Sequence, residues 1–327
     1  MGPGYPSCNL AGTFRLSGFR RKHVGSSARF LSSSWSTPDA EYIGACASWS
    51  AMHSLPCRAD DAAVSQRAWA TPAVTRDWLS VWQSTSTDTG KARLTAIRAQ
   101  HSSHWLFALP ISAWSQRLGN EAIRVAVGLR LGLNICESHT CSCGANVDAR
   151  GLHGLSCKRS AGRSTHHQQL NDLIWRVLKW ADINSIKELT GLLRGDGKHP
   201  DGLTLVPWQA GKCLTWDATV VDTLASSYVS VTATRVGGTA DAAAERKSLK
   251  YASITNTHIF VPVAIETLGP ICSRSLSFLA ETSNRLAAIS GDARETSFLF
   301  QRVSVLIQRF NQIVFRGTFI DVNDTEG

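Results

Sequence analysis

The sequence lacks any apolar run approaching the roughly eighteen uncharged residues of a membrane-spanning helix. Its N-terminus also lacks the continuous apolar segment of a secretory signal. These absences argue against a helical membrane protein and a secreted one, and they point to a nuclear or cytoplasmic setting. Acidic residues are scarce: 25 Asp and Glu face 34 Lys and Arg, for a formal net charge of +9 and a pI near 9.3. The surplus favours an anionic partner, nucleic acid first and an acidic membrane surface second. No acid occurs among residues 1–38, and no periodicity either, while Arg15, Arg20, Arg21, Lys22 and Arg29 are scattered among Ser and Gly. Residues 1–40 are therefore read as a basic, disordered end.

What remains is ordinary globular material. Hydrophobic residues make up 43% of the 327 and charged residues 18%, enough for one large core or two smaller ones. Residues 41–135 read as a helical region rich in tryptophan, broken at Pro56, Pro72 and Pro110. Such aromatics anchor cores, and near arginine they can also stack on bases. Within this region Asn120 to Asn134 reads as a helix with Ile123, Ala126, Val127 and Leu131 on its apolar side and Gly132 as its stop.

The cysteines are uneven. Nine occur, four of them between Cys136 and Cys157, which argues against an extracellular disulfide framework and for a reducing compartment. Two close thiols, a Gly-containing loop, then a His and a Cys separated by three residues can converge on a tetrahedral Zn²⁺. The preferred ligands are Cys141, Cys143, His153 and Cys157, with Cys136 or His139 as replacements because Cys-x-Cys is tighter than the usual gap. This knuckle spans residues 136–160.

After the basic end, the helical region and the knuckle, residues 161–320 form the last expected domain, ahead of a polar tail at 321–327. A basic link with Lys158, Arg159 and Arg163 leads into a helix over Thr165 to Ile183, whose start favours anions, so His166 and His167 there are read as surface or phosphate-facing rather than metal ligands. A short strand over Ser185 to Leu189 carries Glu188. A hairpin follows: Leu203 and Leu205 precede a turn at Gln209 to Lys212, and Leu214, Val220 and Val221 follow it. Asp201 opens the first strand and Asp217 lies inside the second. A buried aspartate needs a partner, and two on adjacent strands begin a hard-metal site suited to Mg²⁺. Pro-Asp-Gly is equally a turn sequence, and Asp217 could serve as a local cap. Further on come a helix over Thr239 to Ile254 with Lys247 and Lys250 on one face, a strand over Ile259 to Leu268, and helices over Leu276 to Ser290 and Arg294 to Val314.

In this order the sequence resembles the PD-(D/E)XK, restriction-endonuclease-like nucleases. It is most similar to the endonuclease region at the C-terminal end of non-long-terminal-repeat retrotransposon polyproteins. There a CCHC knuckle precedes an Arg/His-Asn motif, a glutamate, a Pro-Asp and a second aspartate. The matching stretches are Cys141 to Cys157, His167 with Asn171, Glu188, Pro200-Asp201 and Asp217, within Leu109 to Phe319. Asp217-Ala-Thr219 lacks the lysine two residues after the acid. Similar nucleases carry it on the following helix, which makes Lys247 or Lys250 the substitute; Lys250 is favoured because Lys250-Tyr251 resembles the family's Lys-Tyr ending. No Tyr-x-Asp-Asp polymerase signature accompanies them.

The resemblance implies an α/β fold, an α-β-β-β-α-β core with a mixed sheet flanked by helices, and an Mg²⁺-dependent endonuclease that nicks DNA. Glu188, Asp201, Asp217 and Lys250 or Lys247 would be catalytic, with Mg²⁺ on Asp201 and Asp217 and a structural Zn²⁺ on the knuckle. His167, Asn171 and Arg163 would contact nucleic acid, DNA foremost and retrotransposon RNA second. Repulsion among the acids implies that removing Asp201 or Asp217 leaves the metal-free fold intact, or relieved. The alternatives are a decayed nuclease that binds nucleic acid through knuckle and basic surface, and a purely structural zinc domain.

Overall fold

The computed structural model describes residues 44, 47–51, 66–160, 162–187 and 199–319. The expectations for residues 1–40, for Glu188, for the side chain of Arg163 and for the tail at 321–327 lie outside the described residues. The chain divides into two compact units after Thr85, so the helical stretch read over 41–135 spans a boundary. In the first unit, α1 (Gln66–Ser84) stacks Trp78 on Trp82 with centroids 6.2 Å apart. No described helix is long and apolar enough to cross a membrane.

The second unit begins with α2 (Asp88–Ile97), capped by the Thr87 hydroxyl accepting from Gly90 N, and α3 (Asn120–Leu131), stopped by Gly132 at φ 72°. The buried face of α3 is not the one its bulky residues suggest. Ile123 and Leu131 are exposed, whereas Ala122, Val125, Ala126, Gly128 and Leu129 are buried. Within that face Gly128 leaves room for a close neighbour: a Cβ on it would lie 2.1 Å from Ile135 Cγ2.

Then follow the hairpin β1 (His139–Thr140) and β2 (Asn146–Val147), the single turn α4 (His153–Ser156), and α5 (Gly162–Trp180). A four-stranded sheet comes from β3 (Ser185–Lys187), β4 (Gly202–Thr204), β5 (Leu214–Val221) and β6 (Ile259–Glu266), in that spatial order. The first two pairings are antiparallel and β5–β6 is parallel, so the sheet is mixed. Helices α6 (Val229–Thr234) and α7 (Gly238–Lys250) supply the crossover between β5 and β6. Two long helices close the fold, α8 (Ser273–Ser290) and α9 (Glu295–Arg316).

The main core lies on one face of the sheet. Trp216, Leu214, Val263 and Ile265 meet Leu170, Ile174 and Leu178 of α5, Phe278 of α8, and Leu299, Val303, Ile307 and Phe310 of α9. On the other face the apolar contact of α7 is made by alanines, Ala240, Ala243 and Ala244, which meet Ala264, Cys272 and Val221. Helices therefore flank the sheet on both sides. The hairpin turn falls where expected: Gln209 pairs with Lys212, and Ala210 and Gly211 take φ of 50° and 74°, the left-handed pair that matches strand twist. Its first strand is shorter than the pattern suggested, ending at Thr204 with Leu205 exposed, because Thr204 turns its hydroxyl to Val206 O. Pro262 is tolerated in β6 because, on the side away from β5, no described strand of the sheet pairs with it; only a bridge of Ile265 with Ile271 forms there.

Candidate functional site

The register of β4 on β5 builds the first cluster. Gly202 pairs with Trp216, which places Asp201 beside Asp217 across an antiparallel ladder. Pro-Asp-Gly is not a turn here: Gly202 is strand, and a Cβ on it would lie 2.0 Å from the Trp216 ring. The glycine is thus required by the tryptophan beneath it. That ring is fixed in turn, donating from Nε1 to Asn171 Oδ1 at 2.7 Å while Asn171 Nδ2 donates to Asp201 O at 3.3 Å. Asn171, expected to touch nucleic acid, is buried and bolts α5 to the two aspartate strands.

One turn earlier on α5, His167 shares the face of Asn171 and reaches the acids. Its Nε2 lies 2.9 Å from Asp201 Oδ2 and 3.9 Å from Asp217 Oδ1. Asp201 Oδ2 also accepts from Ala218 N at 2.6 Å. From the opposite side α7 delivers Lys247, whose Nζ is 2.8 Å from Asp217 Oδ2. Lys250 stands at 4.0 Å and donates to Tyr251 Oη at 2.7 Å, and Tyr251 donates to His199 O at 2.8 Å. The direct lysine is therefore Lys247 rather than the favoured Lys250, whose partner is the tyrosine that singled it out.

Electrostatics follow the contacts. The hydrogen bond to Asp201, reinforced by Asp217, pushes the His167 imidazole up to about 9. Burial raises Asp201, against the lowering hydrogen bond from His167. Asp217 is also buried, but His167 and Lys247 outweigh the desolvation and hold it at about 2. The acids repel unless a cation offsets their charge, and here the protein supplies the cations: protonated His167 and Lys247 contact them and Lys250 stands close by. One oxygen or nitrogen each from His167, Asp201 and Asp217 lies within 4.8 Å of the others, a donor set compatible with a cation.

The second cluster is local. Gly144 at φ 88° turns the chain after Cys143, with its N–H donating to Cys141 O, and α4 brings His153 back over it. His153 Nε2 is 3.2 Å from Cys143 Sγ, and Cys141 Sγ is 3.8 Å from Cys157 Sγ. The four ligand atoms lie within 4.8 Å of one another. Cys136 and His139 do not take part: Cys136 Sγ approaches Asp148 O and Ala149 O, and His139 bonds Glu137 O and Thr318 Oγ1 while stacking on Phe319. Burial favours the neutral Cys141 thiol, but hydrogen bonds from Cys143, Ser142 and His153 pull it down to about 6; burial raises Cys157. Three sulfurs and an imidazole suit a metal ion such as zinc. The loop docks on α9, where a Cβ on Gly151 would meet the Phe315 ring at 2.5 Å.

Comparison of the sequence with protein-family models and with curated proteins gives no match. The geometry of the two clusters carries the functional reading.

Proposed function

We propose that the chain is a metal-dependent endonuclease of the restriction-endonuclease-like class, related to those of non-long-terminal-repeat retrotransposons, that nicks DNA by hydrolysing a phosphodiester bond. The observation that carries the reading is the meeting of Asp201 and Asp217 from adjacent strands with Lys247 from the crossover helix, 2.8 Å from Asp217. Two carboxylates backed by a lysine are what phosphodiester hydrolysis with Mg²⁺ needs, since hard cations choose carboxylate oxygen. Asp201 and Asp217 would hold the ion, which when bound lowers the pKa of a coordinated water and stabilises charge on phosphate oxygens. Lys247 places positive charge where the scissile phosphate would lie and orients the attacking water, with Lys250 and Tyr251 behind it. His167 holds a proton against both acids, so the site is charge-balanced before any cation enters.

Cys141, Cys143, His153 and Cys157 would hold Zn²⁺, supplying the folding free energy of a loop with little core of its own. With the net charge of +9 the knuckle would contact phosphates, which position a duplex without reading its sequence. Plasmid nicking with Mg²⁺ and with EDTA tests the proposal. Conversion of supercoiled to open-circular DNA by wild type and not by Asp217→Ala supports it. Salt-sensitive DNA binding with no cleavage in either form overturns it in favour of a nucleic-acid-binding protein.

A further inference from the structure

The nuclease reading uses the C-terminal half of α7 and leaves its N-terminus unexplained. Gly237, the N-cap, has φ 70° and offers no side chain to the orphan N–H groups of the first turn. Glu266, the last residue of β6, takes that role from outside the helix. Its Oε1 accepts from Thr239 N and from Ala240 N, both at 3.1 Å, and the residue is wholly buried. A carboxyl group in a solvent-free interior is costly to place, and burial pushes this one up to about 7.

The packing of α7 explains why such a group is useful. Ala240, Ala243 and Ala244 are its contact face on the sheet, and they meet Ala264, Cys272 and Val221. Alanine ridges are shallow, so this interface resists sliding and rotation less than interlocked large side chains do. Lys247 lies seven residues past Ala240, about 10 Å along the axis, and its ammonium must stay on Asp217. A shift of the helix by an ångström moves that ammonium off the site, a displacement that can cost an enzyme about 100-fold.

We infer that Glu266 is a positioning residue for the reaction: by gripping two backbone N–H groups at the start of α7 it fixes the axial position of the helix and so holds Lys247, and Lys250 behind it, against Asp217. The inference rests on the nuclease reading for its consequence in rate but not for its geometry, and the two are tested separately.

The geometric test uses the full chain without DNA. Lysine-selective acylation read by mass spectrometry should find Lys247 protected in wild type relative to Lys212. In Glu266→Ala, Lys247 should react at least about fivefold faster with Lys212 unchanged, and Glu266→Gln, which keeps the Oε1 acceptor, should restore protection. Should Glu266→Ala fail to fold, Glu266→Asp keeps the buried acid while withdrawing it by one methylene and should expose Lys247 in the same way. Unchanged protection of Lys247 in a folded Glu266→Ala or Glu266→Asp overturns the inference. In nicking assays the same variants should lose about 10- to 100-fold in kcat with KM for DNA nearly constant. The loss should vanish when residual cleavage is compared in a Lys247→Met, Lys250→Met background, because the residue acts through those lysines. An equal loss in that background overturns the inference too. If wild type does not cleave at all, the nuclease reading fails, while the labelling result still decides what Glu266 does.

Discussion

The two clusters solve the same problem, convergent polar side chains, by opposite means. The knuckle collects its four groups within the span from Cys141 to Cys157, and its own buried hydrophobic cluster consists of Cys141, Val147 and Cys157. The carboxylate site draws His167, Asp201, Asp217 and Lys247 from α5, the start of β4, β5 and α7, and it sits on the largest core of the molecule. It also carries its own cations, which the thiols lack. A locally gathered site with no counter-charge would depend on a bound ion to be a structure. A site gathered by the fold would depend on one only to react.

The sharpest way to break that contrast is to withdraw zinc. Chelation, or Cys157→Ser, should remove amide-exchange protection from Cys141 and Val147, since apparent zinc-binding energies in small knuckles reach about 10 kcal/mol. Protection in β5 and β6 should stay, and loss of both together would mean that the sheet too depends on the metal.

Asp217→Ala should abolish Mg²⁺-dependent nicking by at least about 100-fold, as removal of a group acting in the transition state does. It should also cost about 2 kcal/mol in urea unfolding, because Lys247 loses its partner. A variant more stable than wild type would restore the view that the acids chiefly repel.

Gly202→Ala probes how the fold gathers its acids. A methyl group 2.0 Å from the Trp216 ring must displace it, at about 1–3 kcal/mol, and should weaken nicking as well, since Asp201 adjoins the displaced pair. The corresponding change in the knuckle, Gly144→Ala, meets no atom within 4 Å and carries only the strain of φ 88°.

A further test is in pH. His167 is raised from 6.5 to about 9, so its stabilisation is complete below the lower value and lost as pH rises through the higher. Glu266, raised from 4.5 to about 7, binds its proton more tightly when folded, so stability should also decline between those values. Thermal melts by circular dichroism across pH should show both declines, Glu266→Gln removing the lower and His167→Gln the upper.

Much of this was legible in the residues. The helical stripe from Leu170 to Ala181, the turn at Ala210-Gly211, the two aspartates and the four zinc-type ligands follow from periodicity, turn chemistry and spacing. The buried side of α3 did not: Ile123 and Leu131 were as apolar as Val125 and Leu129, and only the rotation of the helix against its neighbours turns the latter pair inward. The place of His167 was hidden for another reason: its spacing from Asn171 was visible, but only the packing of α5 on the sheet shows which acids it meets. Lys247 over Lys250 is likewise a matter of helix rotation, and Glu266 lies in an apolar run whose acid gains meaning only once α7 starts above it.

The proline in β6 has a consequence for behaviour in a crowded solution. Pro262 and Ala264 turn their backbone polar groups away from β5, on the side where another chain could add a strand. Pro262 has no N–H to offer, and its carbonyl accepts from the Ser275 hydroxyl at 3.0 Å. Ala264 N is taken by the same hydroxyl at 2.9 Å, Ala264 O by Cys272 N at 3.0 Å, and Glu266 N by Pro270 O at 2.8 Å. Along Pro262 to Glu266 the donors and acceptors of this edge are spent, and such a stretch does not template growth of the sheet. Strand addition along Pro262 to Glu266 is therefore blocked, and the opposite edge of this sheet is the three-residue β3.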